Sequence, residues 1–96
     1  MVTVENNIIT LHCEKATVDD KVEVEYAVER LLQSGATVIY FDLSKTIYLP
    51  STLMGYLMWK KQDLQKQNKD IIIIAISPSL RKVFEETRLI EFFCIK

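Results

Sequence analysis

Thr46-Ile-Tyr-Leu-Pro-Ser-Thr-Leu-Met-Gly-Tyr-Leu-Met-Trp59 is the stretch that decides the fold of this chain. Upstream of it lies Val38-Ile-Tyr-Phe-Asp-Leu43, a short apolar run rich in β-branched and aromatic residues, which reads as a buried strand. Downstream, Met54, Leu57, Met58 and Leu64 recur at helical spacing. Between strand and helix, directly after Pro50, stand two hydroxyl residues, Ser51 and Thr52. A serine at a helix start accepts a hydrogen bond from the free amides of the first turn. Those amides and the helix dipole also favour an anion, a phosphate included. The expectation is a strand that delivers a hydroxyl to a helix N-terminus, with Ser51 as the cap.

Outward from this centre the chain alternates strand and helix patterns. Val2-Thr-Val-Glu and Ile8-Ile-Thr-Leu-His-Cys13 flank the turn-forming pair Asn6-Asn7 and predict an N-terminal hairpin. Thr17-Val-Asp-Asp20 has a hydroxyl followed by acids, as a helix start does. Val24, Ala27, Val28, Leu31 and Leu32 then make one helical stripe, with Gly35 where a C-terminal cap belongs. The strand over 37–43 and the run Ile71-Ile-Ile-Ile-Ala-Ile76 are apolar throughout, as strands covered on both faces or parallel strands joined by crossover helices are. The helix between them makes those two strands parallel neighbours. Ser77-Pro78 opens a short helix, and Phe92-Phe-Cys-Ile95 reads as a final edge strand. The pattern β-β-α-β-α-β-α-β predicts a single small α/β domain over residues 1–96 with a mixed sheet.

Composition narrows the function. Twelve basic and thirteen acidic side chains leave a formal charge of −1, so no broad field favours nucleic acid or anionic lipid. No apolar run is long enough to insert in a membrane, and the N-terminus lacks a secretory pattern, so a cytoplasmic protein is expected. Cys13 and Cys94 are expected to be two buried free thiols. His12, the single histidine, has no acidic or cysteine cluster around it and reads as an ordinary strand residue. Asp19-Asp20 and Glu85-Glu86 are adjacent and diverge on a helix, and no nucleophile has a base, so no enzyme, metal or cofactor is expected. Lys60, Lys61, Lys66, Lys69, Arg81 and Lys82 alternate with acids and glutamines as a solvated surface.

At ~100° per residue, the side of the central helix carrying Met54, Leu57, Met58 and Leu64 should face the sheet. The same arithmetic sends Thr52, Tyr56, Trp59 and Asp63 to solvent. Tyrosine and tryptophan one turn apart beside the hydroxyls suggest a docking patch of Tyr56 and Trp59 with Leu53 at its edge. The plainer reading is that a terminal segment, or a second copy in a homodimer, covers them.

The segments "VIYFDLSKTIYLPSTLMGYLM" and "IAISPSLRKVFEETRLIEFF" resemble the STAS domain family of bacterial anti-sigma-factor antagonists. The resemblance implies a mixed sheet of four to five strands with helices largely on one face. It also implies a non-enzymatic regulator whose loop serine is phosphorylated by an anti-sigma factor that is itself a serine kinase, the unphosphorylated form binding that kinase. The serine falls on Ser51 and the next hydroxyl on Thr52. Where the family has an aspartate and a glycine in the loop, this chain has Pro50 and Leu53, keeping only Gly55; Arg88 replaces the glycine of the closing turn, and the terminal helix of many members is absent. The alternative within the family is a constitutive, non-phosphorylated docking subunit of a larger assembly, such as a lipid-transport complex.

Overall fold

The computed structural model describes residues 1–95. Its elements are Val2–Glu5 (β1), Ile8–Leu11 (β2), Val18–Gln33 (α1), Val38–Leu43 (β3), Ser51–Gln65 (α2), Asp70–Ile76 (β4), Pro78–Glu86 (α3) and Leu89–Phe92 (α4). β1 and β2 form the expected antiparallel hairpin, which turns at Asn6 with φ 55°, a left-handed conformation that asparagine tolerates. β3 runs parallel to β2, and β4 runs parallel to β3, so the sheet order is β1-β2-β3-β4.

Helix α1 begins and ends as its sequence predicts. Thr17 accepts from the Asp20 amide at 3.3 Å, while the Asp20 carboxylate accepts from the Thr17 amide at 2.7 Å. Each side chain thereby satisfies the other residue's orphan amide, the reciprocal arrangement of a capping box. At the other end Gly35 adopts φ 98°, and the Ala36 and Gly35 amides donate back to Leu31 and Leu32 at 3.0 and 3.1 Å. That pair of bonds closes the helix as a Schellman motif.

The core lies between the sheet and its helices. Ile9, Leu11, Ile39, Phe41, Leu43, Ile71 and Ile73 point into it from one sheet face, all nearly inaccessible. Their alternating neighbours Tyr40, Asp42 and Ile72 are only partly buried, and Ile74 is 51 % exposed. The continuous apolar runs of β3 and β4 therefore mark parallel pairing rather than two covered faces, and the one-sided arrangement is the one the STAS resemblance implies.

The predicted last strand is a helical turn instead. Arg88 takes the left-handed conformation (φ 61°) after α3 and turns the chain into α4. Leu89 and Phe93, four apart, then both reach the core, where the Phe93 ring packs tilted at 5.7 Å from Phe84 and edge-to-face at 4.9 Å from Phe92. This segment touches the sheet edge through one backbone bond, Ile73 N–H to the Phe93 carbonyl at 3.4 Å. Cys94, expected in the core, lies just past this turn and is exposed, whereas Cys13 is half-buried; both are free thiols.

Two lysines also depart from expectation. Lys60 and Lys61 are buried rather than solvated. The Lys61 ammonium donates to the Asp70 carboxylate at 2.7 Å and to the Ile71 carbonyl at 2.6 Å, at the start of β4. Lys60 pairs with Glu29 of α1 at 2.8 Å. Long stems lie in the core while the charged heads meet acids at its margin.

Candidate functional site

The segment between β3 and α2 is held from both sides. Ser44 turns on Asp42, its amide and hydroxyl donating to that carboxylate at 3.0 and 2.7 Å. Thr46 is fully buried and donates its hydroxyl to the Cys13 carbonyl at 2.8 Å, while its own carbonyl accepts from the Ser77 hydroxyl. The Ile47 amide donates to the Glu14 carbonyl at 2.7 Å, and Tyr48 accepts from the Ala16 amide at 3.0 Å. Backbone pinned in this way leaves the side chains of Ile47 and Tyr48 to solvent, at 40 % and 53 % exposure. The sequence did not single these two out, because their exposure comes from backbone bonds to residues 14–16 and not from any local period.

Helix α2 starts one residue earlier than a serine cap would require. Pro50 is the N-cap, with φ −65° and ψ 150°, and no side chain caps the helix. Its carbonyl accepts from the Leu53 and Met54 amides, both at 3.0 Å. Ser51 is thus the first helical residue and not the cap, because proline's fixed φ and extended ψ suit the cap position in front of it. Ser51 and Thr52 are both exposed at the open amide end of the helix, where its dipole is positive.

The inward stripe of α2 is Leu53, Leu57, Lys60, Lys61 and Leu64. This is the i, i+4, i+7, i+8, i+11 pattern of a core-facing helix, hidden in the sequence by two lysines. Met54 and Met58, expected to lead the core face, are half-buried at its side. Leu53, expected at the edge of a docking patch, is 1 % exposed and belongs to the core. Ser51, Gly55, Trp59 and Gln62 line the outer face, and Trp59 is 58 % exposed.

Tyr56 is half-buried where α2 meets α1, with its ring 6.3 Å from that of Trp59. Its hydroxyl has no partner among the described residues. Burial, with Glu29 and Glu25 nearby, pushes its pKa above the ordinary tyrosine value. The Lys60 ammonium lies 5.5 Å from the Trp59 ring. The structure therefore brings Ser51, Thr52 and Trp59 onto one open surface, places Tyr56 at its inner border and removes Leu53.

His12 stands one residue beyond β2, exposed, with Nε2 2.7 Å from the Thr3 hydroxyl and Nδ1 3.2 Å from the Lys45 ammonium. Among the described residues no group of His, Cys, Asp and Glu is placed to hold a metal, and no helix is long and apolar enough to cross a membrane.

A mixed four-stranded sheet with helices packed on one face is the architecture of the STAS fold. Among solved structures the chain is similar to the anti-sigma factor antagonist SpoIIAA in its unphosphorylated form, with a TM-score of 0.72 at 18 % identity, covering 93 % of this chain and 80 % of that one. At that identity the likeness establishes the shared fold. No family model matches the sequence, and no curated protein does.

Proposed function

We propose that this chain is a non-enzymatic regulatory binding module whose attachment to a serine-kinase anti-sigma factor is switched by phosphate on Ser51. The observation that carries this reading is Ser51 itself: exposed, first in α2, and not engaged as a cap. A phosphate there adds about −2 charge at a helix N-terminus, where the dipole favours it and the fold is little disturbed. Its effect then falls on the neighbouring surface of Thr52 and Trp59, with Tyr48 and Ile47 on the preceding loop. SpoIIAA, whose fold the chain shares, is an anti-sigma factor antagonist solved in its unphosphorylated form.

A second reading draws on Pro50 and the buried Leu53, which replace the loop aspartate and glycine that the resemblance expects. In that reading the exposed aromatics dock constitutively on a larger assembly and Ser51 is never modified. Phosphate separates the two. Incubation with the cognate kinase and ATP, followed by peptide mass spectrometry, should place phosphate on Ser51 and none on the Ser51→Ala protein. Phosphorylated protein should lose the partner that Ser51→Ala still binds. Trp59→Ala should weaken that binding by about 2 kcal/mol, as exposed interface tryptophans do, with little change in melting temperature. Tight binding without any phosphate on Ser51 or Thr52 would leave the constitutive reading standing.

A further inference from the structure

The side of α1 away from α2 has features that the docking surface does not use. Tyr26 is 64 % exposed there, and Val4 of the edge strand β1 is 46 % exposed. Between them runs a groove of about 440 Å³ lined by Val2, Val4, Ala27 and Leu31, with Glu23 and Arg30 at its rim. Arg30 lies over the Tyr26 ring at 5.7 Å and donates to its hydroxyl at 3.2 Å. Among the described residues neither Glu23 nor Arg30 is in a contact ion pair, the Met1 ammonium acting on Glu23 only from a distance. An unpaired acid and an unpaired base thus stand seven residues apart, about two turns, on one side of one helix.

We propose that a second copy of this chain occupies the groove, the two α1 helices meeting antiparallel about a two-fold axis at Tyr26 and Ala27. An isologous interface has to be complementary to itself. Antiparallel pairing about that axis sets Glu23 against Arg30 of the partner subunit, and Arg30 against Glu23 of the partner subunit. Both free charges are then matched, whereas a parallel pairing would set acid on acid. Tyr26 enters the groove of the other copy, where Ala27 leaves room for a ring between Val4 and Leu31. Asp19 falls opposite Ser34 of the partner subunit, a hydroxyl rather than a second acid. The contact also covers Val4 on an open sheet edge, which proteins otherwise have to protect. α2 lies on the opposite side of α1, joined to it by the Lys60–Glu29 pair, so Ser51 and Trp59 stay open in the dimer.

One helix and a four-residue strand make a small interface, so association in the micromolar range is expected. Sedimentation velocity on the full chain, from about 10 μM to about 1 mM, spans that range. Wild type should pass from monomer to dimer. Glu23→Arg and Arg30→Glu should each weaken dimerisation by about tenfold or more, since each places like charges together. The double variant Glu23→Arg/Arg30→Glu should recover it, because the pairs re-form with signs exchanged. Circular dichroism melts check that these exposed substitutions leave the fold intact. A monomer throughout overturns the proposal, as does a dimer indifferent to both single reversals. Failure of the folded double variant to recover also overturns it and points to a different protein in the groove.

Discussion

An ammonium under a helix has to be matched group by group, and Lys61 is matched by the Asp70 carboxylate, the Ile71 carbonyl and the rings of Phe92 and Phe93 at 5.9 and 6.0 Å. Removing it leaves a strand carbonyl without that donor and the Asp70 carboxylate with only the Ile71 amide, at 2.7 Å. Asp70 is 28 % exposed, so water recovers part of that loss. Lys61→Ala should therefore cost about 3 kcal/mol, the low end for breaking a buried pair, measured by urea denaturation. A loss under about 1 kcal/mol would show that Asp70 is well solvated without it. Arg88 presents the opposite case. It holds φ 61°, which costs a residue with a Cβ about 1 kcal/mol, at the position where the STAS resemblance expects glycine. Arg88→Gly should raise stability by roughly 0.5–1 kcal/mol, read as a rise in melting temperature.

At the scale of elements, α2 turns opposite faces to core and solvent. Its inner stripe secures the helix against the sheet, while its outer stripe, Ser51, Gly55, Trp59 and Gln62, faces solvent, with Trp59 touching only Tyr56 and Lys60 of its own helix among the ring contacts. Gly55 is the telling residue. It sits mid-helix, and a Cβ built there meets nothing within 4 Å. Packing in the isolated chain does not demand glycine, and helix propensity opposes it. Gly55→Ala should stabilise the protein by about 1 kcal/mol. If a partner lies close over the outer face, the same change should weaken binding, measured by titration calorimetry against the captured partner. Stabilisation with unchanged binding would move the contact away from this turn.

At the scale of the whole molecule, one cluster ties the N-terminus to α1. Asp20 is buried, accepts from the Met1 amine at 2.9 Å and from the Thr17 amide, and meets the Cys13 thiol at 3.6 Å. The amine's hydrogen bond, opposed by desolvation and aided by Thr17, lowers the Asp20 pKa from 3.8 to about 2. The amine is raised above its usual 8.0 by the same bond. Burial is the main cause that pushes the Cys13 thiol up. A depressed carboxylate contributes stability above its unfolded pKa near 4 and loses it as pH falls toward 2. A raised amine contributes below about 8 and loses its share as pH climbs through its folded value. With a free Met1 amine, thermal melts of wild type and Asp20→Asn should differ most between about pH 4 and pH 8, and converge on either side. The amine is largely solvated, which limits the difference to about 1 kcal/mol.

Local chemistry carried much of the fold without help. The Asn6-Asn7 turn, the Thr17–Asp20 cap, the Gly35 stop and the Ser77-Pro78 start each depend on neighbours a few residues away, so each was legible in the sequence, and the parallel pairing of β3 with β4 followed from the helix that joins them. Thr52 and Trp59 were likewise placed on the open side of a helix by their spacing, while Tyr56 and Asp63, sent to the same side, are half-buried. Three matters waited for the tertiary structure. Lys61 turned inward because β4 offers a carboxylate and a carbonyl beside α2, whereas hydropathy counts a lysine as surface wherever it stands, and Leu53 went with the same inward stripe into the apolar core. Phe92 and Phe93 formed a helical turn because the left-handed Arg88 redirects the chain so that Phe93 packs on Phe84, a turn that the apolar run by itself does not reveal. Pro50, not Ser51, caps α2, since proline's ring fixes its φ while the loop pinned to Glu14 and Ala16 sets where the helix can begin. Periodicity records which residues share a face, but which face meets the core depends on what the rest of the chain places beneath it.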